Sequence, residues 1–539
     1  MEAPTAACII GAGPGGIAMA YNLKHKVKCD DFVIVDENAG AGGTWFRNSY
    51  PGCGCDVPSH FYSFSFALNP DWSRPLCEQG EILEYLNNVI DRFSLRGHLT
   101  LSTAVVGAVW IEKLGLWEVE FKNETGYQYK RRFNLVISAC GIFSRPKYPD
   151  IPGMDTFKGR SWHSGAWDWN VSLADKRVAV VGNGCSGCQI IPAIAPRAKQ
   201  VTHFARSKQW LFDRPNQPYS AFSKWLYRTI PGWMRWNRFR TYLAVDALFL
   251  EYVKNPRSEF LRASSEKEAR EYMIKKTPKR YLDVIMPDYP VGCKRRVLDP
   301  GYLDSLHRDN VALWSENISA IDETGILTED GTHQPFDVIV YATGFYTQQY
   351  LSPMTVIGQD NKTLTEHWKE TKGCQAYMGT TVSGFPNFAI LFGPNASPAH
   401  NSVIYTLEVQ AEYVCKTFME PILTGQAQTV VVKRSAEDYD CNGIQQKLKD
   451  SVWHAGCTNW TLDENGRNCT SFPGYVRSFW WKLYSPRFQD YILKGSQPQW
   501  RWRYLLMKAE QHKALIATLI SSGILATATL GSGVLAKQK

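Results

Sequence analysis

The sequence offers no grouping that would hold a metal ion. Its 11 histidines are scattered, with no H-x-x-x-H and no Cys/His cluster. It has no basic stripe either. The formal net charge of +9 is spread along the chain, which excludes the electrostatic footprint of a nucleic-acid binder. No secretory signal precedes the first apolar run, Ala7 to Ile10. A cytosolic setting is therefore expected, in which the 14 cysteines stay reduced and the sequons at Asn123 and Asn361 go unused. Disorder is excluded as well, because apolar content is ordinary and the charges nearly balance. Aromatic residues are plentiful, with 19 tryptophans. At 539 residues the chain is too long for one core, and two or three domains are expected.

Residues Ala7 to Ile10 read as a buried strand, Ile17 to Lys24 as a helix, and Gly11, Gly13 and Gly16 between them form G-x-G-x-x-G. The first glycine makes the turn, the second lets the backbone approach a pyrophosphate, and the third lets helix and strand pack. The pyrophosphate then sits on the helix N-terminus. A second strand, Phe32 to Val35, ends at Asp36, about twenty residues beyond the third glycine, where a ribose-binding carboxylate belongs. The pattern repeats. Arg177 to Val181 is a strand, Gly182, Gly184 and Gly187 form a second glycine loop, and Gln200 to Phe204 is the next strand. This second unit carries Arg206 and Ser207 where the first carries Asp36. A guanidinium clasps a 2′-phosphate that a carboxylate would repel, so the second site is expected to take NADPH.

Three further stretches carry chemistry. Phe157 to Asp168 reads F-x-G-x-x-x-H-x-x-x-W-D, and Gly42 to Asp56 reads G-G-x-W-x-x-x-x-Y-P-G-x-x-x-D. Lys294-Arg295 precedes an apolar run, with Tyr302 seven residues after Arg295. Together these resemble the type I Baeyer–Villiger monooxygenases, including fungal members of specialised metabolism. That resemblance implies FAD in the first site and NADPH in the second. It implies insertion of oxygen beside a ketone carbonyl by way of a C4a-peroxyflavin, giving an ester or lactone. It places Thr44, Trp45, Phe46, Arg47, Gly54, Cys55, Asp56, Val57 and Tyr62 along the flavin. Asn183, Gly184, Cys185, Ser186, Gly187, Cys188 and Gln189 fall beside the second dinucleotide, with Lys294 on its phosphate and Trp460 over the nicotinamide. Arg295 becomes the catalytic cation and Asp56 its orienting partner, although Arg296 leaves the register open by one. His163 is read as part of a hinge, not as a general base, on a linker outside any core.

The expected class is α/β, with two Rossmann-like dinucleotide-binding domains and a helical insertion. Residues 1–155 begin the FAD domain, 156–212 hold the linker fingerprint and begin the NADP domain, and 213–291 form the insertion. Residues 292–387 complete the NADP domain and 388–512 return to the FAD domain. The aromatic-rich insertion suits a wall for a bulky, apolar ketone. In the tail 513–539, Ala514 to Ala536 runs without a charge, long enough to anchor cytosolic catalytic domains to a membrane. Two other readings use the same residues. A flavin N- or S-monooxygenase shares both glycine loops, but its fingerprint ends in Tyr or Phe where this chain has Trp167-Asp168. A dithiol reductase would use the C-x-x-C of Cys185 and Cys188.

Overall fold

The computed structural model describes residues 3–457 and 459–495, together with Trp502, Leu505, Leu506, Ala509, Glu510 and Lys513. Two sheets organise the chain. In the first, Thr5–Ile10 lies between Phe32–Val35 and Gln128–Ser138, parallel to both. Its residues Ala6 to Ile10 are all buried, as a strand covered on both faces requires. Thr103–Ile111, Leu116–Asn123 and Gln128–Ser138 extend this sheet as an antiparallel meander. The second sheet is wholly parallel, in the order Val311–Trp314, Gln200–Phe204, Arg177–Val181, Val338–Tyr341, Arg160–His163.

Three expectations are corrected here. The fingerprint is not confined to a linker: Arg160–His163 is the edge strand of the second sheet, in register with Val338–Tyr341, and Trp162 and His163 are buried. The chain is also back at the first sheet before residue 388, because Thr355–Ile357 already pairs with Thr103–Ile111. Both strands are too short and too irregular in pattern to announce themselves locally. Finally, the cysteines are not all free. Cys293 and Cys457 are disulfide-bonded, their Cα atoms 6.2 Å apart across 164 residues of sequence. Only the tertiary fold brings the turn before Lys294 against the loop that leads to Trp460.

The insertion is helical as expected, with Ala221–Thr229, Trp233–Ala247 and Pro256–Lys276 as its main helices. It leaves and rejoins the body through a short parallel pair, Leu211–Phe212 with Val297–Leu298. That pair pins the segment carrying Lys294 and Arg295. Among the described residues no helix is long and apolar enough to cross a membrane. The run Ala514 to Ala536 lies outside the described residues.

Candidate active site

Both glycine loops open onto one cavity of about 2500 Å³. A pocket for a single ligand is usually about 300–1,000 Å³, so this volume suits two dinucleotides and a substrate. The first loop turns into the helix Pro14–Tyr21, with proline at its first position, where a missing N–H costs nothing. Gly13 and Gly43 close on each other: a Cβ on Gly13 would lie 3.2 Å from the Gly43 Cα. At the strand end, one Asp36 oxygen accepts from the Ala12 amide at 2.7 Å, and the other accepts from Asn38. The carboxylate is thus held against the loop with one acceptor site, on Oδ2, still available for a ribose. In the second loop, a Cβ on Gly184 would meet no protein atom within 4 Å, although Gly184 borders the cavity. The space over that glycine is shaped for a ligand, and the residues present fit a bound dinucleotide.

Of the residues singled out from the sequence, Gly11, Gly13, Asp36, Thr44, Trp45, Arg47, Gly54, Cys55, Asp56, Val57 and Tyr62 line this cavity from the first domain. Asn183, Gly184, Cys185, Ser186, Gln189, Arg206, Ser207, Lys294, Arg295 and Trp460 line it from the other side. Four do not border it: Gly16, Phe46, Gly187 and Cys188. Gly16 and Gly187 instead let each helix start pack beneath its own loop, where a Cβ would collide with the carbonyl oxygen of Gly11 or Gly182. Phe46 packs against Gly40 and Gly42. The aromatic insertion is not the wall expected of it, since no residue of 213–291 borders the cavity. Its aromatic wall comes from outside the insertion and includes Trp45, Tyr62, Phe143, Phe345, Phe392 and Trp460.

Asp56 and Arg295 meet on the cavity wall from positions 239 apart in sequence. Arg295 donates through Nε to Oδ2 and through Nη2 to Oδ1, both at 2.7 Å. Burial alone would raise the Asp56 carboxyl pKa, but the charge and hydrogen bonds of Arg295 outweigh it and hold the carboxyl below its ordinary range. In return the Asp56 charge pushes the guanidinium pKa further up, against burial. Arg296 faces the other way. It is ion-paired to the buried Glu251 and stacked 4.7 Å from the Phe212 ring. Burial lowers its pKa to about 10.

The Y-P-G of the second motif docks the two halves together. The Tyr50 hydroxyl donates to Gln189 Oε1 at 2.8 Å and accepts from the Ser186 hydroxyl at 3.1 Å, both on the second glycine-loop helix. Gln189 Nε2 donates to the Gly54 carbonyl at 3.0 Å. The residue that follows the fingerprint, Trp169, reaches the same seam. His163 Nδ1 accepts from the Gly165 amide at 3.0 Å, its ring lies 5.3 Å from Phe345, and Trp169 donates to Ser49 at 3.0 Å. Burial lowers the His163 pKa to about 4, so the ring is neutral at physiological pH.

Beside the second loop a smaller recess of about 440 Å³ gathers Arg206, Ser207, Lys208 and Lys294 near Asp288 and Tyr289. The Lys294 amine sits 4.7 Å from the Tyr289 ring centre. Burial lowers its pKa, Asp288 opposes this and Arg206 adds to it. Cations held this close invite an anion between them. Lys208 and Tyr289 were missed in the sequence; the run Arg206-Ser207-Lys208 could have flagged the lysine, but nothing local flags the tyrosine. The dithiol reading finds no support. Cys185 and Cys188 are both free thiols, and burial pushes Cys185 up to about 11 and Cys188 well above its ordinary value. Neither is poised as a thiolate.

A family model for flavin-binding monooxygenase-like proteins matches residues 58–229, and one for an NAD(P)-binding Rossmann-like domain matches residues 9–78. A Baeyer-Villiger monooxygenase of Streptomyces coelicolor is 36% identical over 473 residues, 87% of this chain and 89% of its own. The FAD-binding monooxygenase ktnD of Aspergillus niger is 33% identical over 501 residues, 90% of this chain and 81% of its own. Among solved structures, OTEMO in complex with FAD and NADP superposes with a TM-score of 0.79 at 27% identity, over 91% of this chain and 100% of that one. Fold and site define an FAD- and NADPH-dependent monooxygenase with two dinucleotide-binding domains. More narrowly, the chain belongs to the Baeyer–Villiger monooxygenases.

Proposed function

We propose that the enzyme oxidises a bulky, apolar ketone to an ester or lactone, with Arg295 as the catalytic cation and Asp56 as the residue that positions it. The observation that carries this reading is the bidentate pair on the cavity wall between the two dinucleotide loops. When bound, FAD supplies oxygen activation and NADPH the hydride. Arg295 supplies a fixed positive charge where negative charge develops on oxygen as the ketone is attacked. A guanidinium whose pKa is raised by its carboxylate partner cannot release a proton there and so cannot quench that charge. Asp56 accepts both Arg295 N–H bonds and so fixes the plane of the fork. Arg296 is committed to Glu251, which favours Arg295 over its neighbour for this role.

Arg206 and Lys294 would hold the 2′-phosphate of NADPH, and Asp36 the ribose of FAD. Trp460 would cover the nicotinamide: its ring lies 5.6 Å from Phe143, and its carbonyl accepts from Thr347 and Gln348. His163 would act in a hinge between the two halves. The aromatic wall and the large volume support a bulky substrate, of the kind met in specialised metabolism. Ala514 to Ala536 would anchor the catalytic domains to a membrane with those domains cytosolic. The deciding experiment is a panel of ketones, from small cyclic to polycyclic, incubated with enzyme, NADPH and O2. Products are expected to gain the mass of one oxygen atom, with efficiency rising with ketone size. A preference for amines or thioethers over every ketone would sink the reading.

A further inference from the structure

None of the aromatic residues of the insertion borders the cavity, and four of them, Phe222, Trp225, Trp233 and Trp236, stand on the outside of the molecule. Ala221–Thr229 and Trp233–Ala247 form a helical hairpin that turns at residues 230–232. The first helix has no buried residue and the second has only Asp246. Phe222 and Trp225 lie one turn apart, their rings stacked at 5.9 Å, and they are 66% and 49% exposed. Along the second helix Trp233, Trp236, Arg240 and Leu243 follow at three- and four-residue steps, so they share one face. The three apolar members of that face are exposed, as is Ile230 at the turn. A helix of a soluble protein normally turns such a stripe toward its core.

The orientation is fixed by the inner face. Arg238 Nη1 donates to the carbonyls of His60, Phe61 and Ser63 at 3.0, 3.1 and 2.7 Å. Tyr242 packs 5.8 Å from the Phe61 ring, and Tyr227 packs 4.3 Å from His60. The hairpin therefore cannot roll its aromatic stripe inward. Its charge is also one-sided. From Arg214 to Val245 the sequence has six basic residues and no carboxylate. Arg228 is taken up by Asp71. Arg235 and Arg240 are exposed and have no ion pair among the described residues.

We propose that this hairpin is a membrane-surface element, laid on an anionic lipid bilayer with Phe222, Trp225, Trp233 and Trp236 at the headgroup level and Arg235 and Arg240 against lipid phosphates. Exposed tryptophans beside cations are the composition that the bilayer interface favours, and their charge complements a flat polyanionic surface. The inference rests on the hairpin alone. It requires neither the tail nor any particular ketone.

The test is hydrogen–deuterium exchange of the full-length, FAD-loaded protein, read peptide by peptide. The protein is mixed with phosphatidylcholine vesicles, with vesicles containing about a third phosphatidylserine, or with none. Exchange in 221–243 is expected to slow on the anionic vesicles only, and the protection to vanish at high salt. In Arg235→Gln/Arg240→Gln the lipid concentration for half-maximal protection is expected to rise roughly thirty-fold, at about fivefold per basic residue. Trp233→Ser/Trp236→Ser should also lose protection while keeping its flavin absorbance. Equal protection on neutral vesicles overturns the proposal, as does protection confined to residues beyond 495. Protection that grows with protein concentration in the absence of lipid assigns the face to a second copy of the chain and overturns it equally.

Discussion

Replacing Arg295 by alanine leaves Asp56 facing the cavity without its cation. Burial, which Arg295 now outweighs, would then raise the Asp56 pKa. Breaking a wholly buried pair costs about 3–5 kcal/mol. Here 36% of the Arg295 side chain and 27% of Asp56 remain open to the cavity, so solvent screening reduces the loss of stability. We expect roughly 1–2 kcal/mol, between the exposed and the buried case. The kinetic effect is larger. A preorganised charge aimed at developing negative charge is worth about 3–4 kcal/mol, a factor of about 10²–10³. Ester formation by Arg295→Ala should fall by that factor while NADPH consumption continues, with the missing electrons recovered as hydrogen peroxide. NADPH loss by absorbance, ester by mass spectrometry and peroxide by a coupled peroxidase together close the electron balance. Arg295→Lys keeps the charge but not the fork, so it should lie between the two. Arg296→Ala, which removes the partner of Glu251, should lower stability but keep the ratio of ester to NADPH. An unchanged ratio in Arg295→Ala, with collapse in Arg296→Ala, would refute the reasoning and move the role by one residue.

Gly13→Val should fold yet purify without flavin absorbance, because a branched side chain would force apart two loops already in contact at Gly43; a yellow, fully loaded variant would contradict this. Arg206→Ala should lower the preference for NADPH over NADH by about tenfold or more, the worth of a charge-assisted hydrogen bond; equal use of both cofactors by the unchanged enzyme would remove its basis. Burial lowers the pKa of His60, His163 and His203 to about 4 each. The unfolded chain takes up these protons below about 6.5 and the folded chain only near 4, so stability falls as pH drops through that window. A series of melting temperatures across it should show the loss, with a shallower slope in His203→Gln; a slope unaltered by that substitution would assign the loss to other groups. A chain ending at His512 should leave the membrane pellet under alkaline carbonate and keep its FAD, whereas the full-length chain stays. At ~1.5 Å per residue, Ala514 to Ala536 as a helix would reach ~34 Å, enough to span. Full-length protein that is soluble without detergent would end the anchor hypothesis.

The parts of this protein that depend on neighbours in sequence were legible before the fold was seen. A dinucleotide loop needs a strand, three glycines at fixed steps and a helix, all within one short segment, and Gly11 to Gly16 and Gly182 to Gly187 announce themselves that way. The strands Phe32–Val35, Arg177–Val181 and Gln200–Phe204 are apolar runs ended by turn residues, so they too were visible. Other features depend on which distant surfaces meet. The edge strand Arg160–His163 exists because Val338–Tyr341 offers it a partner. Cys293 and Cys457 bond because the fold brings them together. The register at Arg295 and Arg296 was ambiguous along the chain, since adjacent arginines are chemically equivalent until their surroundings differ. Tertiary structure separates them, turning one toward Asp56 and the cavity and the other toward Glu251 in the insertion. The same holds for the insertion's aromatics. Composition showed that they were there, but the direction in which a helix presents them is set by what clamps its opposite face, and Arg238 on the carbonyls of His60 to Ser63 turns Trp233 and Trp236 to the outside while Tyr242 packs inward.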